Sequence, residues 1–341
     1  MHHTEILSID GNLDRIVAAF QNNPVAFPTE TVYGLGAIVW REDLIKRVFA
    51  IKNRPNDNPL IVHVSSLAML RRCIAGEIPA IYQEVIDLYW PGPLTLLFKR
   101  SASIPDWVTA GGEYVAIRIP DHQVTLKIID KLDAPLVGPS ANKSTRPSPT
   151  TAQHVLDDLA GDIPLIVDGG PCQQGVESTV INGLVSPPLF LRPGAITFET
   201  LQAHIPDLVL VGAKDKATKS CPGMRYKHYA PSIPVLMIQG AFNEQITKLH
   251  QVLAQSPHAP PAIGLLLPES HLTALSQFIP NDSNYTIYSL GHTIKDHTHK
   301  LFDGLRYLDR HCEVIYCVSI PATDEGRALM DRLSRAATEA I

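Results

Sequence analysis

The chain has 341 residues, of which 45% are hydrophobic and 18% charged, so a substantial core and two domains are expected. Its net charge of −5 disfavours a protein built mainly to grip nucleic acid, because such proteins are usually basic. The five cysteines have no CxxC spacing, which indicates neither a zinc site nor a disulfide framework and fits a reducing cytoplasm. The acidic residues Glu5 and Asp10 argue against a signal peptide, and no apolar run reaches the ~18 residues of a membrane span. A cytoplasmic protein without membrane contact is therefore expected.

The first 200 residues alternate short strands with helices. Thr29 to Ala37 is too rich in threonine and glycine for a plain helix and is interpreted as a strand-to-loop turn that exposes hydroxyls and backbone N–H groups. A helix runs to Lys52, where Pro55 and Pro59 forbid its continuation. Apolar patterning predicts strands at Val25–Phe27, 60–64, 94–98, 115–119, 165–167, 178–181 and 189–191, and helices at 67–73, 80–89, 123–132 and 151–159.

The pattern is lost between residues 201 and 233, which we interpret as an interdomain linker with an ordered, functional part around Cys221 to Pro231. After Pro234 it resumes, with strands at 235–238, 263–267, 285–289 and 314–319 and helices at 243–255, 270–277, 294–311 and 324–340. Alternation of this length predicts a small, mostly parallel, three-layer α/β domain over residues 234–341. The predicted fold class is thus α/β, with one larger domain over residues 10–200 and a smaller Rossmann-like one.

Common nucleotide and hydrolase motifs are missing from the sequence: GxxxxGK[ST], GxGxxG after a strand, HExxH and GxSxG. An anion site must then use scattered cations and loops. Lys52 and Arg54 lie at the end of a helix and are candidates for such an anion site. The alternative is that they are solvated cations that complement the helix dipole. Arg118 lies in an apolar strand, where an unpaired charge is costly. Arg192 follows a strand end directly, and the carboxyl ends of strands in open α/β sheets form the ligand crevice.

Other polar residues near strand ends have structural alternatives. Ser178 lies in a turn where its hydroxyl can serve as a cap, and a lone strand histidine such as His63 is more often structural than functional. Asp168-Gly169-Gly170 is more typical of a turn than of a metal ligand. Together, however, four cations and several hydroxyls match a triphosphate plus a carboxylate.

In order along the chain, seven segments resemble the motif series of the YrdC-like threonylcarbamoyl-AMP synthases: PTETVYGLGA, KNRPNDNPLIVHV, WPGPLT, VAIRIP, VGPSANKS, ESTV and LRPGAIT. The resemblance covers roughly residues 10–200. The C-terminal domain, joined through CPGMRYKHYAP, resembles that of the long, two-domain form. The family's more usual linker motif starts with Ser-Pro-Gly-Met, and Cys221 replaces that serine here, a change from hydroxyl to thiol with little expected effect.

The resemblance implies a nucleotidyltransferase that makes L-threonylcarbamoyladenylate from L-threonine, bicarbonate and ATP, releasing pyrophosphate. The product serves threonylcarbamoyladenosine modification of tRNA, so the downstream transfer machinery is an implied partner, together with a weak local contact with tRNA. Mg²⁺ would enter with ATP and bridge its phosphates with few protein ligands, so no metal-ligand set is assigned.

The resemblance also implies the site residues. Those assigned to L-threonine are Thr31, His63, Arg118, Ser140 and Ser178. Those assigned to ATP are Arg54, Asn58, Asn142, Thr150 and Arg192, with His228 or Tyr229 of the linker motif closing over the nucleotide. Lys52 and Arg54 are assigned to catalysis. The C-terminal domain is expected to position the linker over the site.

Two other functions compete with this assignment. One is an RNA-binding or ribosome-associated module, against which the acidic net charge argues. The other is a carbamoyltransferase of the hydrogenase-maturation type, which would carry CxxC zinc fingers and an acylphosphatase-like segment that this sequence lacks.

Overall fold

A computed structural model describes residues 3–212, 228–255, 262–278 and 285–341. It divides into two compact units. Unit 1 comprises Met1–Ser144 and Ser148–Tyr226, and unit 2 comprises Thr145–Pro147 and Lys227–Ile341. Most of the predicted linker motif, Cys221 to Lys227, lies outside the described residues, so its predicted lid function stays a prediction, as do the domain boundaries inferred from sequence.

Unit 1 is built on a mixed sheet of eleven strands. The strands are β1 (Glu5–Ser8), β2 (Val25–Phe27), β3 (Gly34–Ile38), β4 (Ile61–His63), β5 (Leu94–Lys99), β6 (Tyr114–Arg118), β7 (Leu136–Val137), β8 (Leu165–Asp168), β9 (Thr179–Asn182), β10 (Leu189–Arg192) and β11 (Val209–Leu210). Their order across the sheet is β1-β8-β2-β3-β7-β4-β6-β5-β9-β10-β11. Neighbours in space are thus far apart in sequence, and loops from distant parts of the chain meet.

Helices of unit 1 bury one apolar stripe each. They are α1 (Leu13–Asn22), α2 (Glu42–Lys52), α3 (Leu67–Cys73), α4 (Gln83–Tyr89), α5 (Asp106–Thr109), α6 (Gln123–Leu132), α7 (Ala152–Leu159) and α8 (Phe198–Gln202), with a 3₁₀ turn at Ala80–Tyr82. In α1 the buried residues are Ile16, Val17 and Phe20, at the i, i+1, i+4 spacing of one helical face. Burial of each such large side chain contributes about 1.5–3 kcal/mol, which is why these short helices persist in the fold.

Two register details bring the polar residues of unit 1 together. β4 and β6 are parallel neighbours whose last residues, His63 and Arg118, are directly paired. β7 runs antiparallel to β3 and β4, and the loop after it bridges back through Gly34 and Ser140. The turn after β2, the ends of β4 and β6 and the loop after β7 therefore converge.

Unit 2 contains a five-stranded parallel sheet in the order β14-β13-β15-β12-β16. The strands are β12 (Val235–Ile238), β13 (Ile263–Leu267), β14 (Tyr285–Ser289), β15 (Val314–Val318) and β16 (Glu339–Ala340). The helices are α9 (Phe242–Gln255), α10 (Glu269–Leu275), α11 (Ile294–His311) and α12 (Gly326–Ala336). Thr293 begins α11 with a capping box completed by Asp296.

The predicted α/β alternation of both regions is confirmed, although several short elements, among them β1, α5, α8 and β11, were not predicted. The segment interpreted as a turn before Ala37 contains strand β3, which pairs with β2 and β7. The predicted helix over 324–340 ends at Ala336, and Glu339–Ala340 form β16 against β12. Among the described residues, no helix is both long and apolar enough to cross a membrane.

Candidate active site

Arg118 is the centre of a buried polar cluster in unit 1. Its guanidinium is 3% exposed and forms an ion pair with Glu30, which is 2% exposed. Nη2 donates to the hydroxyls of Thr31 at 2.9 Å and Thr29 at 3.2 Å, and Nε donates to Nε2 of His63 at 3.1 Å. The end of β6 is thus bonded to the turn after β2 and to the end of β4, so the guanidinium has little freedom to rotate.

His63 is held in its neutral form. Burial lowers its pKa well below the usual range, and the positive charge of Arg118 lowers it further. Because Nε2 accepts the hydrogen bond from Arg118, the ring proton belongs on Nδ1. Gly138 lies against this ring: a Cβ at that position would be 2.8 Å from Cε1 of His63, so no larger residue fits without displacing the ring.

A second buried group joins the start of β9 to the end of β10. Nη2 of Arg192 donates to the carbonyl of Ser178 at 2.9 Å and to its hydroxyl at 3.1 Å. The same hydroxyl lies 2.7 Å from Oγ1 of Thr95 on β5. Ser178 and Arg192 are 2% and 4% exposed, so both are fixed before any ligand arrives.

The two guanidiniums are close enough to influence each other. The pKa of Arg118 is lowered chiefly by burial, Glu30 opposes that shift, and Arg192 adds to it. Glu30 is in direct contact with Arg118 and offsets its charge, and Arg192 brings a second guanidinium to this region of unit 1. Such a region favours carboxylate and phosphate groups.

Lys52 lies under the loop that follows β7. Its side chain is 2% exposed, and Nζ donates to the carbonyl of Ser140 at 2.5 Å and to that of Asn142 at 2.6 Å. The backbone N–H of Ala141 donates to Tyr33 at 2.8 Å and closes the other side of the loop. The ammonium of Lys52 thus fixes the shape of this loop, whereas its predicted catalytic role is untested and stays a prediction.

Apart from Arg192 at the end of β10, the residues of unit 1 assigned to ATP lie in three places. Arg54, half-buried, donates to the carbonyls of Asn58 at 3.3 Å and Pro59 at 2.9 Å, and so shapes the turn before β4. Asn142 is part of the loop above Lys52, and its side-chain amide donates to the carbonyl of Lys143. Thr150 lies 3.3 Å from Nδ1 of His154 and starts the turn into α7.

The two aromatic residues of the linker motif, His228 and Tyr229, belong to unit 2. Tyr229 is 6% exposed and packs on Phe302 of α11, with 5.2 Å between ring centroids. The guanidinium of Arg332 lies over the same ring at 5.6 Å. The end of the linker is therefore anchored by the core of unit 2.

Sequence reasoning identified Arg118 but missed its partners Glu30 and Thr29, and it also missed Thr95. A usable signal was present: a buried arginine requires a counter-ion, and Glu30 is the acidic residue of the PTET stretch. Among the described residues there is no group of three or more His, Cys, Asp or Glu side chains able to hold a metal ion. The four described cysteines, Cys73, Cys172, Cys312 and Cys317, are buried thiols without disulfides.

Two family models match the chain. The model Sua5_yciO_yrdC, described as "Telomere recombination", matches residues 18–194. The model described as "Threonylcarbamoyl-AMP synthase, C-terminal domain" matches residues 196–338. The fold and the site thus define a two-domain α/β protein with a YrdC-like N-terminal domain, as the motif series predicted.

Relatives of nearly full length give the particular family. Threonylcarbamoyl-AMP synthase of Pyrococcus abyssi is 39% identical over 328 residues, covering 94% of this chain and 93% of the relative. The Bacillus subtilis enzyme of that name is 41% identical over 323 residues, covering 93% and 90%. The crystal structure of P. abyssi Sua5 complexed with L-threonine covers 100% of this chain and 99% of its own, with TM-score 0.87 and 34% identity. The chain belongs to the threonylcarbamoyl-AMP synthase family.

Proposed function

We propose that this protein synthesises L-threonylcarbamoyladenylate from L-threonine, bicarbonate and ATP, with release of pyrophosphate. The observation that carries the proposal is the buried Arg118 cluster, in which the guanidinium is fixed by Glu30, Thr31 and His63 beside a second fixed arginine, Arg192. An arginine held rigidly beside hydroxyls suits an amino acid that carries a carboxylate and a hydroxyl, and a second fixed arginine suits a phosphate group. Full-length similarity to enzymes named threonylcarbamoyl-AMP synthase supports the same reaction.

The chemistry requires positioning rather than a protein nucleophile. The amine of threonine loses a proton and forms an N–C bond with CO₂ derived from bicarbonate, which gives a carbamate anion. A carbamate oxygen then attacks the α-phosphorus of ATP, and the P–O bond to pyrophosphate breaks. The protein must hold two anionic reactants in line and offset the charge that builds on the phosphoryl oxygens.

The proposed division of the site is the one that the resemblance implies, and the contacts around Arg118 support its threonine side. Thr31, His63 and Arg118 form one hydrogen-bonded set and take the threonine side, together with Ser140 and Ser178. The remaining predicted residues (Arg54, Asn58, Asn142, Thr150 and Arg192) take the ATP side, and His228-Tyr229 of the linker close over the nucleotide. A P. abyssi Sua5 in which an adjacent His–Tyr pair was replaced by alanine has been solved, and this chain carries one His-Tyr dipeptide.

Mg²⁺ is proposed to enter with ATP. Because the described acidic residues form no three-ligand cluster, the ion would be held mainly by phosphate oxygens, where it would neutralise charge on the leaving pyrophosphate. The product is proposed to pass to the machinery that transfers the threonylcarbamoyl group to tRNA, with a weak contact between this protein and tRNA. A cytoplasmic location is part of the same proposal.

The decisive experiment measures pyrophosphate release and threonylcarbamoyl-AMP by chromatography with all substrates, and then with threonine or bicarbonate omitted. We expect release to depend on both, with CO₂-free buffer as the bicarbonate control. Pyrophosphate release independent of threonine would refute the proposal.

Specificity provides a second test. A pocket that hydrogen-bonds the threonine hydroxyl should discriminate strongly against L-valine, by roughly 10⁴-fold in kcat/KM at full effect, because valine has no hydroxyl to take part in that hydrogen bond. Equal efficiencies for the two amino acids would exclude a threonine pocket of this kind.

A further inference from the structure

A three-residue segment from the middle of the chain belongs to unit 2. Thr145–Pro147 is grouped with residues after 226, although the residues on both sides belong to unit 1. The carbonyl of Pro147, itself buried, accepts a hydrogen bond of 2.5 Å from Nη2 of Arg306 on α11. Arg306 is 2% exposed, so this bond is shielded from water and fixes the segment firmly.

Asp309, one turn further along α11, holds the same segment and the end of the linker. Its Oδ2 accepts from Arg146 at 3.2 Å. Its Oδ1 accepts from the backbone N–H of Ser232 at 2.8 Å, from the Ser232 hydroxyl at 2.6 Å and from the N–H of Ile233 at 3.3 Å. The Asp309 side chain is 4% exposed and thus joins two stretches of chain that are far apart in sequence.

The segment 145–147 and the end of the linker also form a hydrogen bond with each other, at a point where the backbone of each has an unfavourable conformation. The N–H of Ala230 donates to the carbonyl of Thr145 at 2.8 Å. Thr145 and Tyr229 adopt positive φ values of 79° and 68°, which is uncommon for residues other than glycine and especially unfavourable for a β-branched one. Such conformations persist only where the surroundings impose them, and they concentrate at functional sites.

The segment has short covalent links to two residues on the ATP side. Thr145 is the third residue after Asn142, and Thr150 is the third residue after Pro147. Ser144 is bonded to the carbonyl of Lys52 at 2.8 Å, and Ser148 donates to Glu177 at 2.6 Å. Three extended residues span only about 10 Å, so a displaced segment must displace at least one of its flanks.

We propose that Arg306 and Asp309 are positioning residues for the ATP side of the site. By fixing Thr145–Pro147, they restrain the chain on either side of this segment and with it Asn142 and Thr150, each three residues away. The proposal rests on the proposed function and deepens it, because it gives the C-terminal unit a defined part in nucleotide binding.

The first test replaces Asp309 by asparagine in the full-length chain. Because Asp309→Asn loses the charge that binds Arg146, we expect the KM for ATP to rise by at least about five-fold, and the KM for threonine to change by less than about two-fold. The control is Asp303→Asn, on the same helix, whose carboxylate accepts a hydrogen bond from the Tyr288 hydroxyl. A folded Asp309→Asn protein with an unchanged ATP KM, or with both KM values raised equally, overturns the proposal.

The second test uses the unmodified protein and covers the case in which the variant does not fold. Hydrogen exchange is measured with and without a non-hydrolysable ATP analogue. The Ala230 amide donates to Thr145 of the segment, and the Ser232 amide donates to Asp309, which holds the segment. We therefore expect the analogue to slow exchange of both amides by at least about ten-fold. Unchanged exchange at both amides, with the analogue bound, also overturns the proposal. If the unmodified protein makes no threonylcarbamoyl-AMP in the same assays, the proposed function fails, whereas the positioning role is judged by analogue binding alone.

Discussion

Replacement of Lys52 by methionine tests whether this lysine holds the loop after β7 or acts in the chemistry itself. In the structure its ammonium donates to the carbonyls of Ser140 and Asn142 at 2.5 and 2.6 Å. A hydrogen bond to a charged group contributes about 1.5–3 kcal/mol, and the variant loses two of them. Part of this loss is recovered, because methionine, unlike the lysine ammonium, gives up no charge hydration when it is buried. We therefore expect Lys52→Met to lower the free energy of unfolding by about 3 kcal/mol.

For a unit of this size, such a loss corresponds to a fall in Tm of about 6–12 °C. The assay is urea unfolding at pH 7.5, followed by fluorescence, with turnover measured on the folded fraction. Lys46→Met is the matched control: it lies on the same helix, is half exposed, and pairs with Glu42 one turn away. Exposed pairs of that type contribute about 0.3–0.5 kcal/mol, and the cation–π contact of Lys46 with Trp107 at 5.2 Å contributes about 0.5–1 kcal/mol, so this variant should lose at most about half as much stability as Lys52→Met.

The refuting result is specific. If Lys52→Met unfolds within about 1 kcal/mol of the parent, the two hydrogen bonds do not hold the loop as argued. If that stable variant has also lost turnover, Lys52 acts in the chemistry itself, as the sequence predicted.

Three further predictions concern the fold around the site. Glu30→Gln leaves the buried guanidinium of Arg118 without its counter-ion, so unfolding should become easier by about 3–5 kcal/mol and the KM for threonine should rise. Gly194→Ala places a Cβ 2.2 Å from the backbone nitrogen of Thr179, so urea unfolding should show a loss of at least about 2 kcal/mol. Because burial lowers the pKa of His63 in the folded state, only the unfolded state gains its proton just below about pH 6.5, and stability should fall there by up to about 1.4 kcal/mol per pH unit.

Controls for these predictions are available in the same chain. Glu5→Gln removes a carboxylate from an exposed pair with Arg15 and should change stability by less than about 1 kcal/mol. Gly212→Ala adds a Cβ with no atom within 4 Å and should be neutral. For the histidine, His63→Asn should flatten the pH dependence between pH 7.5 and 5.5. An equal slope in both proteins would contradict the assignment of the effect to His63.

The sequence predicted the alternation of elements well because most of the helices and strands carry their own apolar period. It predicted that Arg118 needs a partner, since a charge in an apolar strand is costly. Glu30 was not identified as that partner, because the two residues are 88 positions apart and the sheet order, which brings them together, is not apparent from the sequence.

The errors have physical causes too. Glycines and the absence of a clear alternation hid strand β3, whose stability comes from pairing on both sides. The predicted last helix was wrong after Ala336 because Glu and Ala favour helix locally, whereas pairing of Glu339 with Leu236 decides the outcome in the fold. The catalytic role of Lys52 stays a prediction, and its hydrogen bonds to the carbonyls of Ser140 and Asn142 could not be foreseen, because those residues lie 88 and 90 positions further along the chain.

The grouping of Thr145–Pro147 with unit 2 has a consequence for synthesis of the chain on the ribosome. Pro147 leaves the ribosome 159 residues before Arg306, the donor to its carbonyl. At a translation rate of about 5–20 residues per second, the segment waits roughly 8–30 s for that partner. During this interval unit 1 can form its sheet, but residues 145–147 have no α11 to hold them. Residues 145–147 therefore gain this hydrogen bond only after α11 has been made, so a chain released early lacks that anchor.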